Sequence, residues 1–355
     1  MSTRASERGD PFIVARSRRR CKETPARLAS SVGTQASTGF LCSIGPLPMQ
    51  SSSYDPLPAS AAVRTHTVEA GGLVHHVLEW PAQSPVATAL LLHGYMDAAA
   101  TWELVAPALA AGGLRVLAPD LRGFGDGPRV GAGGYYHFPD YILDISDLVE
   151  AFVPEGAPLM VVGHSMGGSI ATMYTGTFPE RVARLAILEG AGPPNSPPST
   201  APDRARRWIE QVRVARARGA RVMPSRDDAQ RRLFLNHPTV PHDVLRRRLD
   251  DLARVLPDGH AMAWKADPLH GTTSPAPFLA EAWMAFASRA KCPVLSVSGG
   301  PKGWHPPDEE TRLGAFPALE RAEIPDAGHM MHWTRPGELS RILVEFLLRT
   351  ARGSA

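Results

Sequence analysis

Cysteine and long apolar runs are both scarce in this chain of 355 residues. Only three cysteines are present, and two of them, Cys21 and Cys42, stand within the first 48 residues. This count excludes a disulfide framework and leaves no cysteine pair at metal-ligand spacing, so we expect a reducing, cytoplasmic environment. No apolar run approaches the roughly 20 residues that a membrane-spanning helix needs, and we expect a soluble protein without a membrane span.

Net charge is also small once the first part of the chain is set aside. The formal charge is +3, but residues 1–48 hold eight Lys/Arg against three Asp/Glu, which leaves 30 basic and 32 acidic residues elsewhere. A body so close to neutral lacks the basic surface of a nucleic-acid-binding protein. We therefore expect a small-molecule substrate and no nucleic-acid partner, while the oligomeric state is not encoded in any recognisable pattern.

The first 48 residues differ in composition from the rest. They are rich in Arg, Ser, Thr, Gly and Pro and have little apolar periodicity, which predicts a disordered tail. An alternative interpretation is that Met49, and not Met1, is the first residue of the protein. The run Ser17-Arg18-Arg19-Arg20 is similar to a twin-arginine export signal, but charges and prolines interrupt the apolar segment that should follow, so export is not expected.

From Val63 onward, short apolar runs alternate with helical patterns. Two runs flank Gly71-Gly72 and predict a hairpin. Five later runs are short and continuously apolar, as in strands buried on both faces, at 89–92, 116–118, 159–162, 185–188 and 294–297. Helices are predicted at 101–110, with Thr101 as N-cap, and at 139–153, 166–177 and 336–349. This alternation predicts an α/β fold with a mostly parallel central sheet and helices on both faces.

One segment interrupts the alternation and divides the predicted domains. Residues 192–289 hold proline clusters and arginine-rich helical patterns instead of a convincing buried strand, and Leu245, Leu249, Leu252 and Leu256 recur at helical spacing. We interpret the segment as an inserted, mainly helical cap. Its arginines are expected to form a solvated helix face, and the alternative is that they attract an anionic substrate. The core then has a first part at 49–191 and a second part at 290–355.

A strand-turn-helix setting singles out Ser165 as a candidate nucleophile. It lies in Gly163-His164-Ser165-Met166-Gly167, between a predicted buried strand and a predicted helix. A sharp turn of this kind tolerates only small residues two before and two after the serine, and Gly163 and Gly167 stand there. We therefore predict a nucleophile elbow that exposes Ser165 Oγ above the carboxyl ends of the strands.

A general base is predicted on the loop before the last helix. His329 follows the last, weakly apolar strand candidate at 321–324, and an imidazole has the right pKa to take and return a hydroxyl proton. His332 lies three residues further on and competes with His329 for this role.

The acid of the predicted catalytic triad is less plain. An aspartate is expected after the strand that ends at Val297, but residues 299–303 contain no acid. Glu189 ends an otherwise apolar strand, where a charged side chain is costly to bury without a partner. We assign the acid to Glu189, with Asp308 as the alternative and Asp326 after it.

The predicted oxyanion hole needs two N–H donors. One is the backbone N–H of Met166, the residue after the nucleophile, and the other belongs to a loop after an early strand. His93-Gly94-Tyr95 follows such a strand, and Gly94 permits a tight turn that would aim the Tyr95 N–H inward.

Taken together, these motifs resemble the α/β-hydrolase superfamily over residues 63 to 350. The ordered set is His93-Gly94-Tyr95, Pro119-Asp120-Leu121-Arg122-Gly123-Phe124-Gly125, Gly163-His164-Ser165-Met166-Gly167 and Gly328-His329. Three further stretches are similar to the serine hydrolase-like branch, namely Gly133-Gly134-Tyr135, Phe178-Pro179-Glu180-Arg181-Val182 and Leu188-Glu189-Gly190-Ala191-Gly192-Pro193-Pro194.

The resemblance implies a function as well as a fold. That branch lacks the late-strand aspartate, which agrees with Glu189, and it implies a cap over the pocket, whereas related dehalogenases and epoxide hydrolases use an aspartate where Ser165 stands. We therefore predict a serine hydrolase that cleaves an ester-like carbonyl through an acyl-enzyme, with no metal or organic cofactor. The alternatives are a C–C bond or thioester hydrolase on the same triad, and a binding protein of this fold without activity.

Overall fold

The computed structural model describes residues 62–349, so the predicted disorder of residues 1–48 and the alternative start at Met49 lie outside the described residues. The strands are β1 (Arg64–Ala70), β2 (Leu73–Trp80), β3 (Ala87–Leu92), β4 (Leu114–Pro119), β5 (Leu159–His164), β6 (Val182–Leu188), β7 (Val222–Met223), β8 (Ala253–Val255), β9 (Met262–Trp264), β10 (Val294–Ser298) and β11 (Leu319–Glu323).

The α-helices occupy the connections between these strands. They are α1 (Ala106–Ala111), α2 (Phe138–Phe152), α3 (Met166–Thr177), α4 (Ala201–Arg218), α5 (Arg226–Asn236), α6 (His242–Leu252), α7 (Ala280–Ala287), α8 (Glu309–Leu313), α9 (Met331–Thr334) and α10 (Pro336–Leu348). Within residues 62–349, none of the helices combines the length and the apolar character needed to cross a bilayer.

Eight strands form one sheet in the order β1-β2-β4-β3-β5-β6-β10-β11. The β1–β2 and β2–β4 pairs are antiparallel, and every other neighbouring pair is parallel. The predicted hairpin is therefore confirmed, and both of its turn residues, Gly71 and Gly72, have positive φ angles of 59° and 71°. The sheet matches the predicted mostly parallel architecture.

Side chains alternate between two core layers on the faces of the sheet. In β3, where every residue is buried, Leu90 and Leu92 pack with α2, α3 and α7, whereas Ala89 and Leu91 pack with α1 and α10. Strands buried on both faces explain the continuously apolar runs in the sequence.

One predicted helix is wrong in detail. The segment 101–110 is split into a short 3-10 helix, Ala99–Leu104, and α1. Thr101 lies inside the first piece and does not cap it, since its buried hydroxyl donates to Ala98 O at 2.9 Å. Pro107 stands in the first turn of α1, where its missing N–H is harmless, and this favours a fresh helix start there.

The inserted segment, defined here as residues 192–279 between β6 and α7, has its own small core. It contains α4, α5 and α6 together with a three-stranded antiparallel sheet in the order β7-β9-β8. Sequence analysis missed that sheet because its strands are two or three residues long, too short for a periodic pattern. The predicted leucine-rich helix is α6, which buries Leu245, Leu249 and Leu252, and Leu256 lies beyond its end.

A buried arginine fastens α6 to the rest of the protein. Arg248 is fully buried, donates to Asp251 Oδ2 at 3.0 Å, and also bonds Glu103 in the 3-10 helix after β3. Burial raises the pKa of Asp251 to about 6, in spite of the neighbouring Arg248. The contact is therefore sensitive to pH.

Asp251→Asn is expected to flatten part of the pH dependence of stability. In the native protein Asp251 holds its proton up to a pH of about 6, whereas the unfolded group titrates near 3.8. Its contribution to the free energy of unfolding is complete below the lower value and is lost as the pH rises through the higher one. Between pH 4 and pH 7.5 we expect the native protein to lose about 2 kcal/mol of unfolding free energy that the variant does not lose, measured by urea unfolding.

The neighbouring Asp250→Asn is the matched control. Asp250 is largely exposed, and its hydrogen bond with Arg226 lowers its pKa, so its pH dependence has the opposite sign and is small. Equal slopes in the native protein and the Asp251→Asn variant would contradict the role assigned to Asp251.

Candidate active site

Ser165 occupies a strained turn between β5 and α3. Its backbone angles are φ 52° and ψ −116°, outside the regions that side-chain-bearing residues favour. A Cβ on Gly163 would lie 2.3 Å from Gly167 O, and one on Gly167 would lie 2.3 Å from Leu92 O. The two glycines are therefore required by contact distance, as the sequence pattern predicted.

Ser165 and His329 are in hydrogen-bond contact, and His329 contacts Glu189. The Ser165 Oγ to His329 Nε2 distance is 3.0 Å, and the His329 Nδ1 to Glu189 Oε2 distance is 2.7 Å. Because a carboxylate only accepts, Nδ1–H donates to Glu189 and Nε2 is left to accept the serine proton. The Glu189 side chain is 1% exposed and the His329 side chain 33%, so the imidazole is accessible and its carboxylate partner is buried.

Glu189 lies directly after β6 and is enclosed by backbone amides. Its Oε1 accepts from Gly299 N at 2.7 Å, and its Oε2 accepts from Trp304 N at 2.6 Å. A Cβ on Gly303 would stand 1.8 Å from Oε1, which only glycine avoids. The glycine-rich loop in which an aspartate was expected therefore wraps around a carboxylate that belongs to another strand.

Pairing of β5 with β6 connects Ser165 to Glu189. Ser165 N donates to Leu188 O at 2.9 Å, and Leu188 is the residue before Glu189. Parallel pairing of β5 with β6 thus sets the separation of the hydroxyl and the carboxylate, whereas His329 arrives on the loop after β11.

The other candidates for base and acid lie elsewhere. Asp308 precedes α8 and pairs with Arg312 at 2.8 Å, and the exposed Asp326 pairs with Lys302 at 2.9 Å. Among the described contacts, neither carboxylate reaches His329. His332 is fully buried and pairs with a different carboxylate, at 3.0 Å from Asp97 Oδ2.

The loop after β3 places the Gly94–Tyr95 peptide beside Ser165. A Cβ on Gly94 would lie 3.3 Å from Ser165 Cβ. The buried His93 accepts from Leu121 N through Nε2 at 3.0 Å, so its Nδ1–H donates to Gly94 O at 2.8 Å. In a trans peptide the carbonyl and the next N–H point in opposite directions, and holding Gly94 O on one side turns the Tyr95 N–H to the other.

The second predicted donor, Met166 N–H, is the first of α3. The N–H groups of Gly168 and Ser169 already donate to Ser165 O, at 3.0 and 3.2 Å. No described carbonyl accepts from Met166 N–H, as is usual for the first turn of a helix. Helix N-termini stabilise negative charge, so the turn that carries Ser165 is suited to an oxyanion.

A cluster of buried side chains lies beneath these residues. His164, His332 and Asp97 have donor atoms within 4.8 Å of one another and could hold a metal ion. Protein contacts already engage them, because His332 Nε2–H donates to Asp97 and His164 Nε2–H donates to His329 O at 2.8 Å. Burial lowers the pKa of His332 and moves that of His164 well below its usual range, so both are neutral.

Sequence analysis did not assign a role to His164 or Asp97. His164 stands inside Gly163-His164-Ser165-Met166-Gly167, whereas Asp97 lies two residues after His93-Gly94-Tyr95. Neither has a local signal, because their partners His329 and His332 lie far away in the chain. His164 is the residue before Ser165, and its Nε2–H donates to His329 O. This bond therefore joins the backbone of His329 to the turn that carries Ser165, whereas Asp97 contacts His332.

Comparisons with known proteins identify the family to which the chain belongs. The Alpha/beta hydrolase family matches residues 89–342. A serine hydrolase-like protein from Dictyostelium discoideum is 33% identical over 113 residues, 32% of this chain and 31% of that protein. Epoxide hydrolase B of Mycobacterium tuberculosis is 30% identical over 113 residues, with the same coverage. The match thus spans about a third of these curated relatives' length.

A solved structure extends the likeness to the fold. A hypothetical protein from Pseudomonas aeruginosa PAO1 superposes with a TM-score of 0.71 at 23% identity, over 80% of this chain and 99% of that one. Identity this low shows the fold alone. Because the family match covers well over half of the chain and the sheet has the expected order, this chain belongs to the Alpha/beta hydrolase family, in which it resembles the serine hydrolase-like branch.

Proposed function

We propose that this hydrolase cleaves ester-like carbonyls through Ser165, His329 and Glu189. The observation that carries the proposal is the continuous hydrogen-bonded chain from Ser165 Oγ through both nitrogens of His329 to the buried Glu189 carboxylate. The hydroxyl serves as the nucleophile, the imidazole accepts its proton, and the carboxylate accepts the hydrogen bond of the imidazole.

The reaction then runs in two halves. Ser165 Oγ attacks the carbonyl carbon while its proton passes to His329 Nε2. The carbonyl oxygen becomes the oxyanion of a tetrahedral intermediate. The bond to the leaving alcohol breaks as His329 returns the proton to that oxygen. Water then attacks the acyl-enzyme and gives a proton to His329. The ester bond to Ser165 Oγ breaks, His329 returns the proton to that oxygen, and the acid leaves.

The N–H groups of Tyr95 and Met166 would stabilise the oxyanion. Support comes from the position of the Gly94–Tyr95 peptide next to Ser165 and from Met166 at the helix N-terminus. Removing one such donor in a serine hydrolase costs about a hundredfold to a thousandfold in rate.

We further propose that the inserted segment acts as a cap over this site and selects the substrate. Its core packs against Met330 and Trp333, which follow the candidate base on the chain. The domain limits of the cap stay a proposal, because α7 lies in the predicted range but packs Trp283 and Ala287 into the main core.

A serine nucleophile separates this proposal from epoxide chemistry. Epoxide hydrolases of this fold are expected to use an aspartate at the elbow, and Ser165 stands there instead. A hydroxyl attacks an acyl carbon and leaves an ester that water can hydrolyse. An ester-like substrate therefore fits these residues better.

Active-site labelling followed by a substrate screen tests the proposal. We expect a fluorophosphonate probe to attach to the peptide that contains Ser165, as identified by mass spectrometry. We also expect p-nitrophenyl esters of short acyl chains to turn over faster than acyl-thioesters or diketones. Preference for a thioester or a diketone would move the function to the alternatives on the same triad, and failure to label Ser165 would favour a binding protein without activity.

A further inference from the structure

We propose that Tyr95 is a positioning residue whose hydroxyl couples the inserted segment to the oxyanion hole. The inference rests on the proposed function, since it concerns the N–H donor of that same residue. Its side chain reaches one part of the inserted segment, residues 267–273, which we call the strap.

The strap is bonded to the main body at both of its ends. Asp267 N donates to Gly123 O at 2.7 Å, and its carboxylate accepts from Tyr136 O–H at 2.8 Å. At the other end, the hydroxyls of Tyr135 and Thr272 are 2.7 Å apart. These bonds fix the strap to the loops that follow β4.

His270 locks the middle of the strap by stacking. Its ring lies between Phe124, at 3.9 Å and 16°, and Tyr136, at 4.1 Å and 25°. Burial lowers the pKa of His270 to about 3, so the ring stays uncharged near neutral pH and packs as an aromatic group. A Cβ on Gly123 would fall 2.1 Å from His270 Nε2, which leaves the ring no room on that side.

Tyr95 is joined to this locked residue. Its hydroxyl donates to His270 O at 2.5 Å, and its ring meets Phe124 edge to face at 5.9 Å. On the other side of the Tyr95 N–H, the ring of His93 holds Gly94 O. The donor therefore lies between two anchors, one in the core loop and one in the inserted segment.

The coupling has a mechanistic consequence. A hydrogen bond to a developing oxyanion depends steeply on distance and angle, so a small rotation of Tyr95 weakens it in the transition state more than in the ground state. Docking of the strap thus sets the rate of acyl transfer more than the affinity for substrate. Only a properly docked inserted segment gives a competent oxyanion hole.

Tyr95→Phe tests this inference because it removes the hydroxyl and keeps the backbone N–H. With p-nitrophenyl acetate we expect kcat to fall about tenfold or more, while KM changes less than threefold. The inhibition constant of a trifluoromethyl ketone, which forms a tetrahedral adduct with Ser165, should rise by a similar factor. The thermal midpoint is measured for both proteins to establish that the variant is folded.

Tyr135→Phe is the matched control, because it deletes another hydroxyl that contacts the strap and leaves the Tyr95 bond intact. The two Asp267 bonds and the His270 stacking still dock the strap in this variant. We expect its kcat and ketone affinity to stay within twofold of the native values. Native kcat and ketone affinity in Tyr95→Phe, or equal losses in the two variants, would overturn the coupling while the proposed function stood. A native protein that neither turns over esters nor binds the ketone would overturn both.

Discussion

Replacing Ser165 by alanine is expected to lower kcat for a p-nitrophenyl ester by at least about a thousandfold. The variant removes the oxygen that the proposed mechanism acylates and leaves His329 and Glu189 in contact, so we expect residual activity to come from the oxyanion site and binding. The strained φ of 52° is as available to alanine as to serine, and the fold should survive. Steady-state kinetics and circular dichroism, taken on the same preparation, measure both effects.

Ser340→Ala provides the control for a lost buried hydroxyl. Ser340 is buried in α10, on the opposite side of the sheet from α3, and should keep native kinetics. Full activity in Ser165→Ala with the probe still attached to the protein would identify a different nucleophile and remove the basis of the proposed mechanism.

Glu189→Gln should lower kcat by about a hundredfold to ten thousandfold without a comparable rise in KM. Both carboxylate oxygens of Glu189 accept, from Gly299 N, Trp304 N and His329 Nδ1–H. An amide has one oxygen, so its NH₂ group must face at least one of these donors. If it faces His329, the imidazole turns to the other tautomer and Nε2 can no longer accept the serine proton.

Asp308→Asn is the matched test of the alternative acid. Its carboxylate pairs with Arg312 and stands apart from His329, so we expect kcat within about threefold of the native value. A native rate in Glu189→Gln together with a large loss in Asp308→Asn would reverse the assignment. Imidazole proton signals in NMR spectra of the two variants would locate the Nδ1–H bond independently.

The sequence predicts the central strands of the sheet well because those strands are buried on both faces. Such strands must be continuously apolar over several residues, and runs such as 159–162 are readable without knowing any contact. The strands of the small sheet in the inserted segment carry two or three residues each and leave no such trace. The predicted helix 101–110 is interrupted just before Pro107, a helix-start signal that the sequence does contain.

Some residues of the candidate site have a local sequence signal, and others do not. Ser165 is recognisable because steric conflict requires glycine two residues before it and two residues after it. This constraint lies within a stretch of five residues. Glu189 is inferable because a charge at the end of a buried strand requires partners, although those partners lie more than 100 residues away. The bond between Tyr95 and His270 joins residues 175 positions apart and has no local signature.

The β5–β6 ladder divides the site between two parts of the chain. Pairing of these strands at the centre of the sheet sets the separation of Ser165 and Glu189. The amides that enclose the Glu189 carboxylate, and His329 itself, come from the chain after β10. We therefore expect activity during refolding to depend on docking of the C-terminal segment, because a protein with only the central sheet in place would hold Ser165 and Glu189 with no imidazole between them.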